Sequence, residues 1–158
     1  MFEIYTDGSC KGNGKENSFG GYAVIVTKNN TIIDVYTHFE SKTTNNIMEM
    51  KAVLWTMLKY GSKNEDNIPI VYCDSSYVVN TFNDWMFRWA KNNWKKSDKK
   101  TPENLNLITE YYSHFNKGYR INLQKVKGHS NNRFNELADK LATQSIYIKD
   151  LDIENVRE

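Results

Sequence analysis

The sequence predicts an α/β fold in which an antiparallel meander of three strands is extended by parallel strands and flanked by helices. Two observations predict it. Apolar residues alternate or run continuously over residues 3 to 40, then recur at helical spacing from Asn46 to Tyr60. The phrase Tyr5-Thr6-Asp7-Gly8 also returns as Tyr72-Cys73-Asp74-Ser75 after a second short apolar run, Ile70 to Cys73.

In the first strand Ile4 and Thr6 face one way and Glu3, Tyr5 and Asp7 the other, with Gly8, Gly12 and Gly14 expected to end it at Asp7. Phe19 to Lys28 is apolar on both faces, which predicts a central strand. Lys28-Asn29-Asn30 supplies the turn. Thr31 to Glu40 reads as a half-exposed edge strand, with Ile33, Val35, Thr37 and Phe39 inward and Asp34, His38 and Glu40 outward. The first helix carries Ile47, Met50, Val53, Leu54, Met57 and Leu58, and Gly61 closes it. A helical crossover of this kind lays the strand from Ile68 to Asp74 parallel to the first, bringing Asp7 beside Asp74. Ser75 to Trp94 is helical in pattern with a break near Asn83-Asp84. Pro102 opens a further helix bearing Leu105, Ile108, Tyr112 and Phe115, which runs to Gly118. Tyr119 to Val126 is the fifth strand, Lys127-Gly128-His129-Ser130 a loop, and a last helix starts near Asn132 with Phe134, Leu137 and Leu141 inward.

At 158 residues the chain fits one domain, a size that buries roughly 68–70% of the unfolded surface. Residues 1–147 are expected to form the folded domain and 148–158 an acidic, flexible tail. Cys10 and Cys73 form no CxxC pair and have no clustered histidines, which argues against a zinc site or a disulfide framework and for a reducing, cytoplasmic setting. No apolar run approaches the ~20 residues of a membrane span, so no membrane partner is expected. Gly14-Lys15-Glu16 lacks the spacing of a phosphate-cradling loop, which excludes nucleoside triphosphate hydrolysis on that motif. Charge is uneven: residues 85–100 hold six Lys or Arg against one Asp within a chain of net charge +2, leaving −3 elsewhere. Such a stripe suits a polyanionic partner, although a solvated lysine-rich helix reads the same way.

Two further acids complete a set. Glu49 lies at the margin of the first helix's buried stripe, and Asp139 lies off the stripe of the last helix. Each has a simpler explanation, since Asn46 and Glu49 have capping spacing, Asp139 could be solvated, and Asp7 and Asp74 could be turn formers. Together, four carboxylates would repel by about 4 kcal/mol per pair at ~4 Å and an effective dielectric near 20. A cation relieves this, and all-oxygen ligands suit Mg²⁺ or Mn²⁺.

The acids Asp7, Glu49, Asp74 and Asp139, within YTDGSCKGN, TTNNIMEM, YCDSSYV and KGHSNNRFNELADKLA, resemble those of type 1 ribonuclease H over about residues 2–145. The resemblance implies a mixed five-stranded sheet in the order 3-2-1-4-5. It also implies an endonuclease that cuts the RNA strand of an RNA/DNA hybrid and leaves 5′-phosphate and 3′-hydroxyl ends. By the same matching the four acids would hold two Mg²⁺ ions, or Mn²⁺ as substitute, with Asp7 bridging them. His129 would move protons or help product leave. Asn13, Thr44, Asn45 and Asn104 would contact nucleic-acid backbone, and Gly8, Ser9 and Cys10 would offer main-chain groups to ribose 2′-hydroxyls.

On a helical wheel Arg88, Lys91 and Lys95 share one face, with Trp85 and Trp94 on opposite flanks; with Lys96 and Lys99 they are the candidate duplex grip. The tryptophans also read as half core. The basic protrusion is shorter than in bacterial relatives, which predicts a weaker grip, and Ser76 stands where many relatives place a longer amide. A monomer with no small-molecule cofactor is expected, with no room for a separate hybrid-binding domain ahead of Met1. A non-catalytic hybrid-binding module would need a broken acid set, whereas all four acids are present. A nuclease of the same fold acting on DNA or double-stranded RNA is the nearer alternative.

Overall fold

The computed structural model describes residues 1–126, 132–144 and 147–151. Five strands form one sheet in the order β3-β2-β1-β4-β5, with the first three antiparallel and β4 and β5 parallel to β1. β1 (Phe2–Lys11), β2 (Phe19–Lys28) and β3 (Thr31–Ser41) make the meander. The β2–β3 turn is Asn29–Asn30, both at positive φ (51° and 64°), the conformation that two-residue hairpins need and that asparagine tolerates.

β2 is central, as its two apolar faces predict. Tyr22, Val24 and Val26 enter one core cluster with Ile4 and helix α1 (Asn45–Tyr60). Ala23 and Ile25 enter the other, with Tyr5 and helix α5 (Arg133–Ala142). One helix layer therefore lies on each face of the sheet. α5 buries Phe134, Ala138 and Leu141, and Ile148 and Leu151 pack against the same cluster. β4 (Ile70–Cys73) returns beside β1 with Thr6 opposite Cys73, and β5 (Asn122–Lys125) follows.

Several boundaries differ from the sequence reading. β1 does not stop at Asp7; it continues through Gly8 to Lys11 because β2 goes on pairing with it as far as Phe19. What ends near Asp7 is the parallel pairing with β4. On β3 the inward set is not Ile33, Val35, Thr37 and Phe39: a bulge opposite Val26–Thr27 shifts the register, so Ile32 and Val35 face one cluster and Ile33 and Tyr36 the other. Asp34 is not turned to solvent but accepts the Tyr60 hydroxyl at 2.8 Å. Leu58 is half exposed rather than core.

The expected break near Asn83-Asp84 is a π-helical turn, Thr81–Trp85, set between α2 (Ser76–Asn80) and α3 (Met86–Lys91). The helix ends at Lys91 rather than Trp94, since Asn93 and Trp94 both take positive φ. Pro102 does not open the next helix: Asn104, at φ 59°, precedes α4 (Leu105–Asn116). β5 is four residues long because Arg120 leaves the β4 side to bridge Ser62.

Candidate active site

The site lies where β4 ends and β1 continues. Asp7 follows the last β1–β4 pair and is 7% exposed; Asp74 follows Cys73 and is exposed. Glu49 comes from one turn inside α1, also 7% exposed, and Asp139 from the exposed face of α5. Two strands and a helix from each side of the sheet thus contribute one carboxylate apiece.

Glu49 is not the partner in a helix cap. Thr44 caps α1 by accepting the Ile47 amide at 3.1 Å, which leaves Glu49 free to face β1. There the Gly8 N–H donates to Glu49 Oε1 and to Asp7 Oδ1, both at 2.9 Å. The approach requires glycine: a Cβ on Gly8 would stand 2.5 Å from the Glu49 nitrogen. Cys73 Sγ lies 3.5 Å from Glu49 Oε2.

Burial pushes the Asp7 carboxyl far above the usual carboxylate range, and the neighbouring Glu49 and Asp139 push it further. Burial also raises Glu49, against the opposing effect of its bonds to Asp7, Gly8 and Cys73, while Asp74 adds to the rise. Burial and the Glu49 charge keep the Cys73 thiol protonated. These influences link Asp7 to Glu49, Asp7 to Asp139 and Glu49 to Asp74. The ion pairs between described residues, at Glu40 with His38 and Lys51 and at Asp84 with Arg88, lie elsewhere.

The all-oxygen character of this set fits a hard divalent cation. In their present rotamers the acids meet in pairs; among the described residues no three His, Cys, Asp or Glu converge on one point. His129 lies outside the described residues.

Asn13, Thr44, Asn45 and Asn104 line one depression, together with Asn46 and Glu103. Asn13 Oδ1 accepts the Asn45 amide at 2.7 Å and so ties the glycine-rich loop to the start of α1. Ser9 faces a different hollow, formed with Lys11, Gly20 and the end of α5, while Cys10 Sγ approaches the Thr43 carbonyl at 3.4 Å.

Trp85, Arg88, Lys95 and Lys96 line a third depression with Trp89, Asn92 and Ser97. The wheel that grouped them does not hold beyond Lys91, yet the turn at Asn93–Trp94 brings Lys95 and Lys96 back to the same groove. Trp94 instead meets Tyr112 edge-on at 5.1 Å, on the core side. Lys91 and Lys99 are exposed outside the groove lining. Trp89, Asn92 and Ser97 were absent from the sequence-derived set; only Trp89 carried a signal, its i+4 spacing from Trp85.

A family model described as RNase H matches residues 1–147. The chain belongs to the RNase H family. An RNase H relative, the Ribonuclease H of Thermoanaerobacter sp. (strain X514), is 43% identical over 147 residues, which is 92% of this chain and 90% of the relative. Among solved structures, the PFV RNase H domain in solution superposes with a TM-score of 0.76 at 22% identity, over 90% of this chain and 92% of that one. LC11-RNase H1, solved in complex with RNA/DNA hybrid, superposes at 0.61 with 20% identity, over 93% and 100%. RNase H membership makes the chain a ribonuclease and a hydrolase. No helix among the described residues of this RNase H is long and apolar enough to cross a membrane.

Proposed function

We propose that the protein is an endonuclease that hydrolyses the RNA strand of RNA/DNA hybrids and leaves 5′-phosphate and 3′-hydroxyl ends. What supports the proposal is that Asp7, Glu49, Asp74 and Asp139 come from four elements to the end of the sheet where β4 stops and β1 runs on, with Asp7 influenced by Glu49 and Asp139 and Glu49 by Asp74. The hybrid complex of LC11-RNase H1 supports the choice of substrate.

In this reading Asp7, Glu49, Asp74 and Asp139 would hold two Mg²⁺ ions, with Mn²⁺ as a substitute. When bound, such ions activate water and stabilise the leaving oxygen of an in-line displacement. Asp7 and Glu49, fastened to the Gly8 N–H, would fix the ions' position relative to β1, and His129 would move a proton or help product leave. Asn13, Thr44, Asn45 and Asn104 hold one strand's backbone. Gly8, Ser9 and Cys10 present main-chain groups to ribose 2′-hydroxyls, the feature that separates RNA from DNA. Trp85, Arg88, Lys95 and Lys96 hold the duplex further along, with Lys91, Trp94 and Lys99 as flanking contributors. Residues 1–147 act as the catalytic domain of a cytoplasmic monomer.

The test is to offer end-labelled hybrid, RNA duplex, DNA duplex and single strands with Mg²⁺. Internal cuts in the RNA of the hybrid alone are expected. Cutting of the DNA strand, or equal cutting of double-stranded RNA, would overturn the substrate assignment.

A further inference from the structure

The Glu49 carboxylate is held from two sides. The Gly8 main-chain N–H donates to Oε1 at 2.9 Å, and the Cys73 thiol stands 3.5 Å from Oε2. The first donor belongs to β1, the second to β4, and the acid itself to α1, so the carboxylate is fastened at the meeting of three elements.

Cys73 is fully buried and belongs to the same apolar cluster as Val71, Met48 and Met50. In such surroundings sulfur packs as a small apolar group and its S–H is a weak donor. An unpartnered carboxylate oxygen in the same place would be costly, which makes even a weak donor effective there.

We infer that Cys73 is a positioning residue for Glu49, its thiol fixing the carboxylate so that its remaining lone pairs are presented beside Asp7. The inference rests on the assignment of Glu49 as a cation ligand. A group that orients a ligand typically alters metal affinity ~10- to 100-fold when lost. Cys73 is distinct from the acids, for it neither reaches solvent nor faces the groove.

The test is calorimetric titration of the substrate-free protein with Mg²⁺, alongside its melting temperature, in four variants. Cys73→Ala and Cys73→Val both remove the donor but change side-chain volume in opposite directions. If the thiol positions Glu49, both weaken Mg²⁺ binding about tenfold or more, while Cys73→Ser, which restores a donor, returns it to within about threefold of wild type. If Ala and Val shift only the melting temperature and leave Mg²⁺ affinity unchanged, Cys73 is a packing residue and the inference falls. It falls equally if Ser binds no better than Ala. Glu49→Gln separates the two levels: unchanged Mg²⁺ binding in that variant would overturn the ligand assignment itself.

Discussion

Asp7 is the residue on which chemistry and stability pull in opposite directions. Its replacement by Asn removes a charge but little volume, so the fold should persist while hybrid cleavage falls about 10³-fold or more, several kcal/mol of lost transition-state stabilisation. Asp74→Asn should behave alike, and hybrid binding should stay within a few-fold in both. Rates within tenfold of wild type in single-turnover assays would remove both acids from the chemistry. Without metal the balance reverses. Asp7 and Glu49 have folded-state pKa values raised above their ordinary values of 3.8 and 4.5. The stability they contribute is therefore complete below those ordinary values and is lost as pH rises toward the folded ones. In chelator, Asp7→Asn should melt above wild type, and the gap should widen from pH 5 to pH 8. A gap that is absent or constant with pH, followed by circular dichroism, would show that the pair is not electrostatically strained.

Helix ends mattered more than helix bodies for the basic groove. The periodicity of residues 75–94 predicted a helix with a break, and α2, the π-turn and α3 realise it. What periodicity could not register is the pair of left-handed residues Asn93 and Trp94, because a wheel assumes the turn angle it is meant to test. Lys91, placed on the gripping face by the wheel, sits outside the groove, while Lys95 and Lys96 are carried into it by the turn. Lys95→Ala with Lys96→Ala should therefore raise KM, leave kcat nearly unchanged, and flatten the slope of log K against log salt by roughly one unit per lost phosphate contact. Lys91→Ala alone should do less. Parallel slopes for the double variant and wild type in fluorescence-anisotropy titrations would count against this groove as the duplex contact.

At the scale of the whole molecule the topology was legible because its signals were local. β2 declared itself central by being apolar on both faces, and the repeated Tyr-x-Asp phrase marked two strands that turned out to be neighbours. Less legible were features that depend on distant partners. The extension of β1 past Gly8 needs β2 alongside, the β3 bulge needs the opposing register, and the role of Glu49 needed the knowledge that Thr44 already caps α1. The Cys73 contact had no sequence signal at all, since a cysteine in an apolar run reads as core. Because the acids come from four elements, β1, β4, α1 and α5, a cation bound there should stabilise the entire fold. At ~100 times Kd, Mg²⁺ should add about 2.7 kcal/mol, or roughly 5–10 °C in Tm for a chain of this size. An unchanged Tm on Mg²⁺ addition would place the cation outside the folded site. The uneven strand ends have one further consequence, for self-association. β1 is an interior strand as far as Thr6 and an edge strand beyond it, since β4 stops at Cys73. A bare edge is a template on which another extended chain can add, and charged side chains are a common guard against it. Asp74, which is exposed, borders this gap, where its charge can serve as such a guard. Asp74→Asn should make the protein associate at high concentration in chelator, and light scattering equal to wild type would show that the edge is guarded by something else.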